Sequence, residues 1–590
     1  MRPNGAVTPE YLGFWLYMSS SLPVLRAPPF PGIRPHIAMV SMARTDRRPG
    51  SLTASRDDTD ALVAAIRAAR VGGTFWAPTP PIPTGPAVVL RPISVDDARL
   101  MATEALRDAA APQILAVLPR ARWAPRARRV LQAQGIAATM GDVDPWPLLR
   151  TDTLLLAHGD DELVLLAQIA GARASVRSAG RFAPASPRRA PTVSDRAFAD
   201  LVVATSYRDP MTGAPVEALD AVTTLAGWRR TLDANRGIAV ATGMARWKRR
   251  EIERFLWVGR DRPLRFVRST TAALREARRS GGAIATWPSR SPSGLLEAAV
   301  AAGVPIHRVE DGFIRSVGLG AACIPPLSIA VDATGIHYDP AHPSDLERLL
   351  AETTFDPALL LRAEALIRYI VDHGISKYGI SGGHNAEHEV RVRRRVLVPG
   401  QVEDDWSVQL GGCGICSNLQ LLARVRVAEP TAEIWFRPHP DVKAGLRKGL
   451  LDASSALQYA DRVVTDGSMA DMFSRVDALH VLTSLAGFEA LLRGIEVSVH
   501  GQPFYAGWGL THDLQPSIAR RSRRLTLAEL VSGVLILYPR YLDPGTGLPC
   551  EVEQMAARFV HRGLPRYSAL TRLQRIRGRL RRLGVEKVTG

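Results

Sequence analysis

The sequence repeats itself, and the repeat restricts the fold more than any other feature. Ala87 to Asp97 (AVVLRPISVDD) lines up with Arg395 to Asp405 (RVLVPGQVEDD), and Pro112 to Arg120 (PQILAVLPR) with Thr431 to His439 (TAEIWFRPH). Leu149 to Leu154 (LRTDTL) then matches Ser474 to Leu479 (SRVDAL), and Tyr207 to Pro215 (YRDPMTGAP) matches Tyr541 to Pro549 (YLDPGTGLP). Four segments recurring in one order over comparable lengths indicate a duplicated module, so residues 85–232 are a second copy of the lobe at residues 395–560. Within each copy, short apolar runs of buried-strand type alternate with helical stretches, the pattern of a doubly wound α/β sheet.

The copies differ where chemistry belongs. Opposite His439 the first copy has Arg120, and opposite Gly487-Phe488-Glu489 it has Asp160-Asp161-Glu162, with no loop like Gly507-Trp508-Gly509 after it. The first copy therefore reads as a degenerate, single-lobe module kept for packing, docking or a different ligand. Between the copies lies another α/β unit, residues 237–390. It has strands at Ile238–Ala241, Ala283–Trp287 and Val304–Val309, a basic helix at Trp247–Phe255, and further segments at Leu327–Val331 and Ile336–Tyr338. Paired with residues 395–560, it gives two Rossmann-type lobes facing across a cleft. Residues 1–84, rich in Pro, Ser and Arg, read as an irregular lead-in.

In an open α/β sheet the ligand sits beyond the carboxyl ends of the strands. Three polar clusters fall there: Glu310-Asp311 with Arg315, Gln401 to Asp405, and Arg437 with His439. A fourth candidate is Ser484 to Leu510, read as a loop, a short helix from Gly487 to Leu492, a strand, and a glycine- and aromatic-rich loop. A helix N-terminus there suits a phosphate, and Glu489 in its first turn suits ribose hydroxyls. Two carboxylates and an imidazole in one cleft suit glycosyl transfer, with His439 and Arg437 neutralising a leaving phosphate.

These segments carry a family resemblance. VEDGFIRSVGLG (residues 309–320), PPLSIAVDATGIHYDP (325–340), VPGQVEDDWSV (398–408), RPHPDV (437–442), and GFEALLRG with HGQPFYAGWGLTHD (487–494 and 500–513) resemble the KpsC/LipB capsule polysaccharide proteins. The resemblance implies a GT-B-like fold and a retaining glycosyltransferase. Such an enzyme adds β-linked Kdo (3-deoxy-D-manno-oct-2-ulosonic acid) from CMP-Kdo to a phosphatidylglycerol-type glycolipid acceptor, without a metal or cofactor. It further implies Asp405, in preference to Asp404, as nucleophile, Glu310 as acid/base and His439 at the CMP phosphate. Asp311, Arg315, Gln401, Arg437, Ser484, Gly487 and Glu489 would bind substrate or nucleotide. Long members of the family carry two active modules. Here the first lacks the motifs, so one active site is expected, with a companion Kdo transferase and capsule export machinery as partners. The alternative is a non-catalytic assembly or export factor that binds the lipid-linked glycan.

Composition narrows the setting. The net charge is +18, yet only Lys248, Lys377, Lys443, Lys448 and Lys587 are lysines, and no basic stretch is interleaved with aromatics, which speaks against nucleic acid. Four cysteines are too few for a disulfide scaffold and point to a reducing compartment. Cys413 and Cys416, a lone CxxC, read as part of a glycine-rich loop, not a metal site. The apolar stretch Tyr11–Val24 is too short to span a bilayer. A basic amphipathic tail at residues 565–590, with Leu570, Leu573, Ile576, Leu580 and Leu583 at helical spacing among arginines, fits the surface of an anionic inner membrane. The expected place is cytoplasmic and peripheral to that membrane.

Overall fold

The computed structural model describes residues 23–31, 56–82, 87–183, 198, 202–203, 205–259, 262–315, 324–377, 379–380, 393–443 and 451–561. The chain divides into two compact units, Met1–Arg236 with Trp257–Pro263, and Gly237–Leu256 with Leu264–Gly590.

The first unit holds a sheet of β1 (Val88–Leu90), β2 (Ile114–Leu118), β3 (Ala137–Met140), β4 (Leu154–Ala157) and β5 (Arg173–Val176). Its order is β3-β2-β1-β4-β5 and every pair is parallel. Because β1 and β2 are buried on both faces, VVL and ILAVL are continuously apolar where a half-exposed strand would alternate. A hairpin of β6 (Tyr207–Arg208) and β7 (Pro215–Val216) follows.

In the second unit, lobe one is a seven-stranded sheet. It comprises β8 (Ile238–Thr242), β9 (Arg265–Phe266), β10 (Ala283–Thr286), β11 (Ile306–Asp311), β12 (Ser328–Asp332), and the late strands β21 (Pro539–Leu542) and β22 (Pro549–Cys550). β9, β8, β10 and β11 run parallel, whereas β12 opposes both β11 and β21. A small hairpin, β13 (Ile375–Ser376) and β14 (Gly379–Ile380), comes before lobe two. Lobe two contains β15 (Arg395–Pro399), β16 (Glu433–Arg437), β17 (Arg462–Val463), β18 (Ala478–Val481), β19 (Glu496–Val499) and β20 (His512–Asp513). These are parallel throughout, in the order β17-β16-β15-β18-β19-β20. That is the order of a Rossmann-type sheet, and the first unit repeats it strand for strand with one edge strand fewer. The return of β21 and β22 to lobe one ties the lobes together. One core joins Phe313 and Ala330 of lobe one to Leu397, Trp435, Phe488 and Trp508 of lobe two. The fold is thus a GT-B-like pair of Rossmann-type lobes preceded by a single-lobe copy.

The repeat extends to individual hydrogen bonds. Asp209 accepts from the N–H groups of Met211 and Thr212 and from the Thr212 hydroxyl. Asp543 accepts in the same way from Gly545, Thr546 and the Thr546 hydroxyl. Gly213 and Gly547 close these turns at φ +78° and +72°, a region that costs any residue with a Cβ. The Tyr207 and Tyr541 hydroxyls each donate to a carbonyl just upstream, at Val202 and Leu535.

Several expectations need correction. The lead-in is not uniformly irregular. It contains helix α1 (Arg56–Ala69), whose Leu62, Val63 and Ile66 are buried, and Val24, Leu25 and Phe75 are buried as well. The proline-rich flanks masked a helix whose apolar side is only three residues wide. Ile336–Tyr338 lies in loop and turn, since Asp332 ends β12 by accepting from the N–H groups of Thr334 and Gly335. The basic helix is shorter than read, a 3-10 turn at Arg246–Lys248 leading into α2 (Arg249–Phe255). The basic tail lies outside the described residues. Among the described residues no helix is long and apolar enough to cross a membrane.

Candidate active site

β11 carries Glu310 and Asp311 to its carboxyl end, where their register against Ala330 and Ile329 of β12 fixes both backbones. Asp311 is clasped by two cations, with Lys248 Nζ 3.0 Å from Oδ1 and Arg315 Nε 2.7 Å from Oδ2. Burial would raise its pKa, but the Arg315 and Lys248 charges outweigh that and hold the carboxyl well below its usual range. Lys248 is buried, its ammonium 3.5 Å from the centre of the Trp287 ring. Desolvation lowers its pKa against the pull of Asp311 and Glu310. Glu310 accepts only the Asp311 N–H, at 3.0 Å, among the described residues. Burial first, then the Asp311 charge, push its pKa up to about 7, and Asp405 from lobe two adds to the shift. Tyr338 stands by the same pair. Its hydroxyl is shifted upward by burial and then by the Glu310 and Asp405 charges.

Lobe two brings Asp405 to the start of helix α3 (Trp406–Gly411), exposed, with no side-chain capping bond. Its carbonyl begins the helix by accepting from Val408 and Gln409, which leaves the carboxylate available to a substrate. Arg437, at the end of β16, donates to the carbonyls of Asp466 (2.8 Å) and Gly467 (2.5 Å), so it shapes a loop beside the site. His439 is half-buried just before helix α4 (Pro440–Lys443).

The nucleotide segment forms helix α5 (Leu485–Leu491), which begins two residues earlier than read because Ser484 caps it by accepting from the Ala486 N–H. Gly487 packs against Tyr505, where an added Cβ would fall 2.3 Å from the tyrosine hydroxyl, and that hydroxyl donates to the Ser484 carbonyl at 2.5 Å. Glu489 is buried and accepts the Lys377 N–H at 2.8 Å. Burial raises its pKa, partly offset by that bond.

The structure therefore gathers Glu310, Asp405 and Tyr338 and turns several other predicted residues inward. Arg315 is 1% exposed and bound through its Nε to Asp311. Gln401 is also buried, its amide exchanging two bonds with Thr483 (2.9 and 3.0 Å) while its backbone pairs with Asn418. In the first unit Asp97, the counterpart of Asp405, binds His158 Nε2 at 2.9 Å, and His158 in turn meets Ser178 at 3.2 Å. There the strand ends are closed by the chain's own polar groups. Sequence reasoning missed Lys248 and Tyr338. A lysine retained in an arginine-dominated chain was the available signal for the first.

Residues 282–541 match the family described as capsule polysaccharide biosynthesis protein. The lipopolysaccharide-processing protein LpsZ of Rhizobium meliloti is 37% identical over 338 residues, 56% of this chain and 76% of LpsZ. The chain belongs to the capsule polysaccharide biosynthesis family. The capsule polysaccharide modification protein LipA of Neisseria meningitidis serogroup A is 40% identical over 370 residues, 62% of this chain and 52% of LipA, so this member spans about half the length of that relative. Among solved structures, the β-Kdo 2,4 transferase of Thermosulfurimonas dismutans KpsC is 33% identical with a TM-score of 0.48, covering 55% of this chain and 98% of that one.

Proposed function

We propose that this family member transfers β-linked Kdo from CMP-Kdo to a (lyso)phosphatidylglycerol-linked acceptor for capsular polysaccharide, with its second unit as the one active module. The observation that carries the reading is Glu310, whose pKa is raised by burial, then by Asp311, and also by the charge of Asp405 from the other lobe, so that both lobes bring a carboxylate to bear on one place. Asp405 attacks the anomeric carbon of Kdo as the bond to the CMP phosphate breaks, leaving a sugar ester on the enzyme. CMP departs as an anion beside His439 and needs no proton. Esterification removes the Asp405 charge, the smallest of the influences that raise the Glu310 pKa, and so eases the ionisation of Glu310 when a base is required. It then takes the proton of the acceptor hydroxyl as that oxygen displaces Asp405, and the configuration is retained. Ser484, Gly487 and Glu489 frame the nucleotide through the shape of α5. The acceptor is reached at the inner-membrane surface, and any other linkage type comes from a companion enzyme.

Glu310→Gln enzyme given CMP-Kdo should accumulate one Kdo on the peptide that contains Asp405, seen by mass spectrometry, and Asp405→Asn should accumulate none. An adduct on another residue, or fast turnover by Asp405→Asn, overturns the mechanism.

A further inference from the structure

A cavity of about 460 Å³ opens in lobe one at the carboxyl ends of β8, β9 and β10. Gly243, Val267 and Pro292 line it together with Arg246, Arg249, Arg268 and Arg290, and no carboxylate is in the wall. Elsewhere in this unit arginines are fastened to acids, as in Arg315 to Asp311, Arg362 to Glu553 and Arg521 to Glu347. Among the described residues none of the four cavity arginines has such a partner, and the buried Nε of Arg249 has no hydrogen-bond acceptor. The Oγ1 of Thr242, the residue before Gly243, is likewise buried and unpartnered. Arg246, Arg268 and Arg290 are exposed at its rim, while Arg249 stacks over the Phe266 ring at 5.1 Å with its Nε buried, so the site gathers like charges around an unmet donor, a cost that a bound anion removes. Gly243 shapes the wall, since at φ +73° an added Cβ would sit 2.9 Å from the Trp287 carbonyl and 3.0 Å from that of Arg290.

We infer that this cavity is an oxyanion subsite for the acceptor, seating a carboxylate or phosphate of the growing glycolipid while the nucleotide occupies lobe two. It rests on the transferase reading only for the identity of the ligand. Lys248, between Arg246 and Arg249 in sequence, reaches Asp311 next to Glu310, and Trp287, which Lys248 covers, leads into the turn that carries Arg290. The cavity and the proposed base thus stand at the carboxyl ends of the same sheet, joined through Lys248 and Trp287.

The test is binding of methyl β-Kdo glycoside, glycerol 1-phosphate and CMP to the full chain by calorimetry. It compares wild type, Arg268→Ala/Arg290→Ala and the charge-retaining Arg268→Lys/Arg290→Lys. Both arginines are exposed, so the fold should survive. The alanine pair should weaken the glycoside or the glycerophosphate by about tenfold or more, the lysine pair should recover most of it, and CMP binding should not change. Whichever anion responds identifies the source, sugar carboxylate or lipid phosphate. Equal binding by wild type and the alanine pair, or a parallel loss of CMP affinity, overturns the inference. Failure of CMP to bind any variant while the anion effect persists would instead count against the transferase reading.

Discussion

Lys248 and Asp311 form an ion pair of 3.0 Å beneath the Trp287 ring, and this pair sets the field in which Glu310 titrates. Lys248→Met removes a charge that lowers the Glu310 pKa. Asp311 stays bound to Arg315 at 2.7 Å, so it remains ionised and keeps pushing Glu310 upward. The pH at which transfer reaches half its plateau should rise by about one unit. Breaking the buried pair should also cost about 3 kcal/mol. A pH–rate profile of kcat/KM superimposable on that of the wild type would remove Lys248 from the mechanism.

Glu310 itself makes stability depend on pH. Its folded pKa, about 7, lies above the 4.5 of the unconstrained side chain, so the native state holds a proton that the unfolded chain has lost. That contribution is fully present below pH 4.5 and disappears as pH rises through 7. Glu310→Gln, neutral at every pH, should therefore melt higher than wild type at pH 8 and close to it at pH 4.5. Thermal melts at the two values decide the matter, and a uniform offset would show that Glu310 is not desolvated.

Asp405 begins α3 without capping it through its side chain. Asp405→Asn should consequently leave the fold within about 0.5 kcal/mol of wild type while abolishing transfer. Loss of activity accompanied by a large fall in melting temperature would assign Asp405 a structural role.

Gly487→Ala should act in the opposite way. Its Cβ would meet the Tyr505 hydroxyl at 2.3 Å, and relieving that overlap should cost about 1–3 kcal/mol and raise the KM for the donor more than it lowers kcat. Unchanged denaturation midpoints would show that α5 can shift without strain.

In the first unit, Asp144 is fully buried, with Arg229 Nη2 at 2.7 Å and Arg236 Nη2 at 3.2 Å. Asp144→Ala leaves Arg229 and Arg236 with Asp233 and backbone carbonyls as their remaining partners and should destabilise that unit by about 3 kcal/mol. If the second unit alone is active, turnover below the new transition should match wild type. A loss of kcat at a temperature where calorimetry shows both units folded would contradict a single active module.

The fold was largely legible because its signals are local. Buried strands such as VVL and ILAVL are continuous apolar runs, and the paired Tyr-x-Asp-Pro-x-Thr-Gly segments carry their own turn chemistry. Glu310 could be placed at a strand end for the same reason, since strand ends can be located from such runs. The inward bonds of Arg315 and Gln401 were not legible, because nothing in their neighbouring residues says that Asp311 and Thr483 will meet their side chains.

By itself the sequence determined the duplicated module and its alternation of buried strands and helices, which follow from periodicity and turn residues along the chain. Only the tertiary structure decided which acid is ionised. Lys248 reaches Asp311 from 63 residues away, and Asp405 bears on Glu310 from the other lobe. Protonation depends on the charges and the amount of water around a group, and both are fixed only when distant segments close over it.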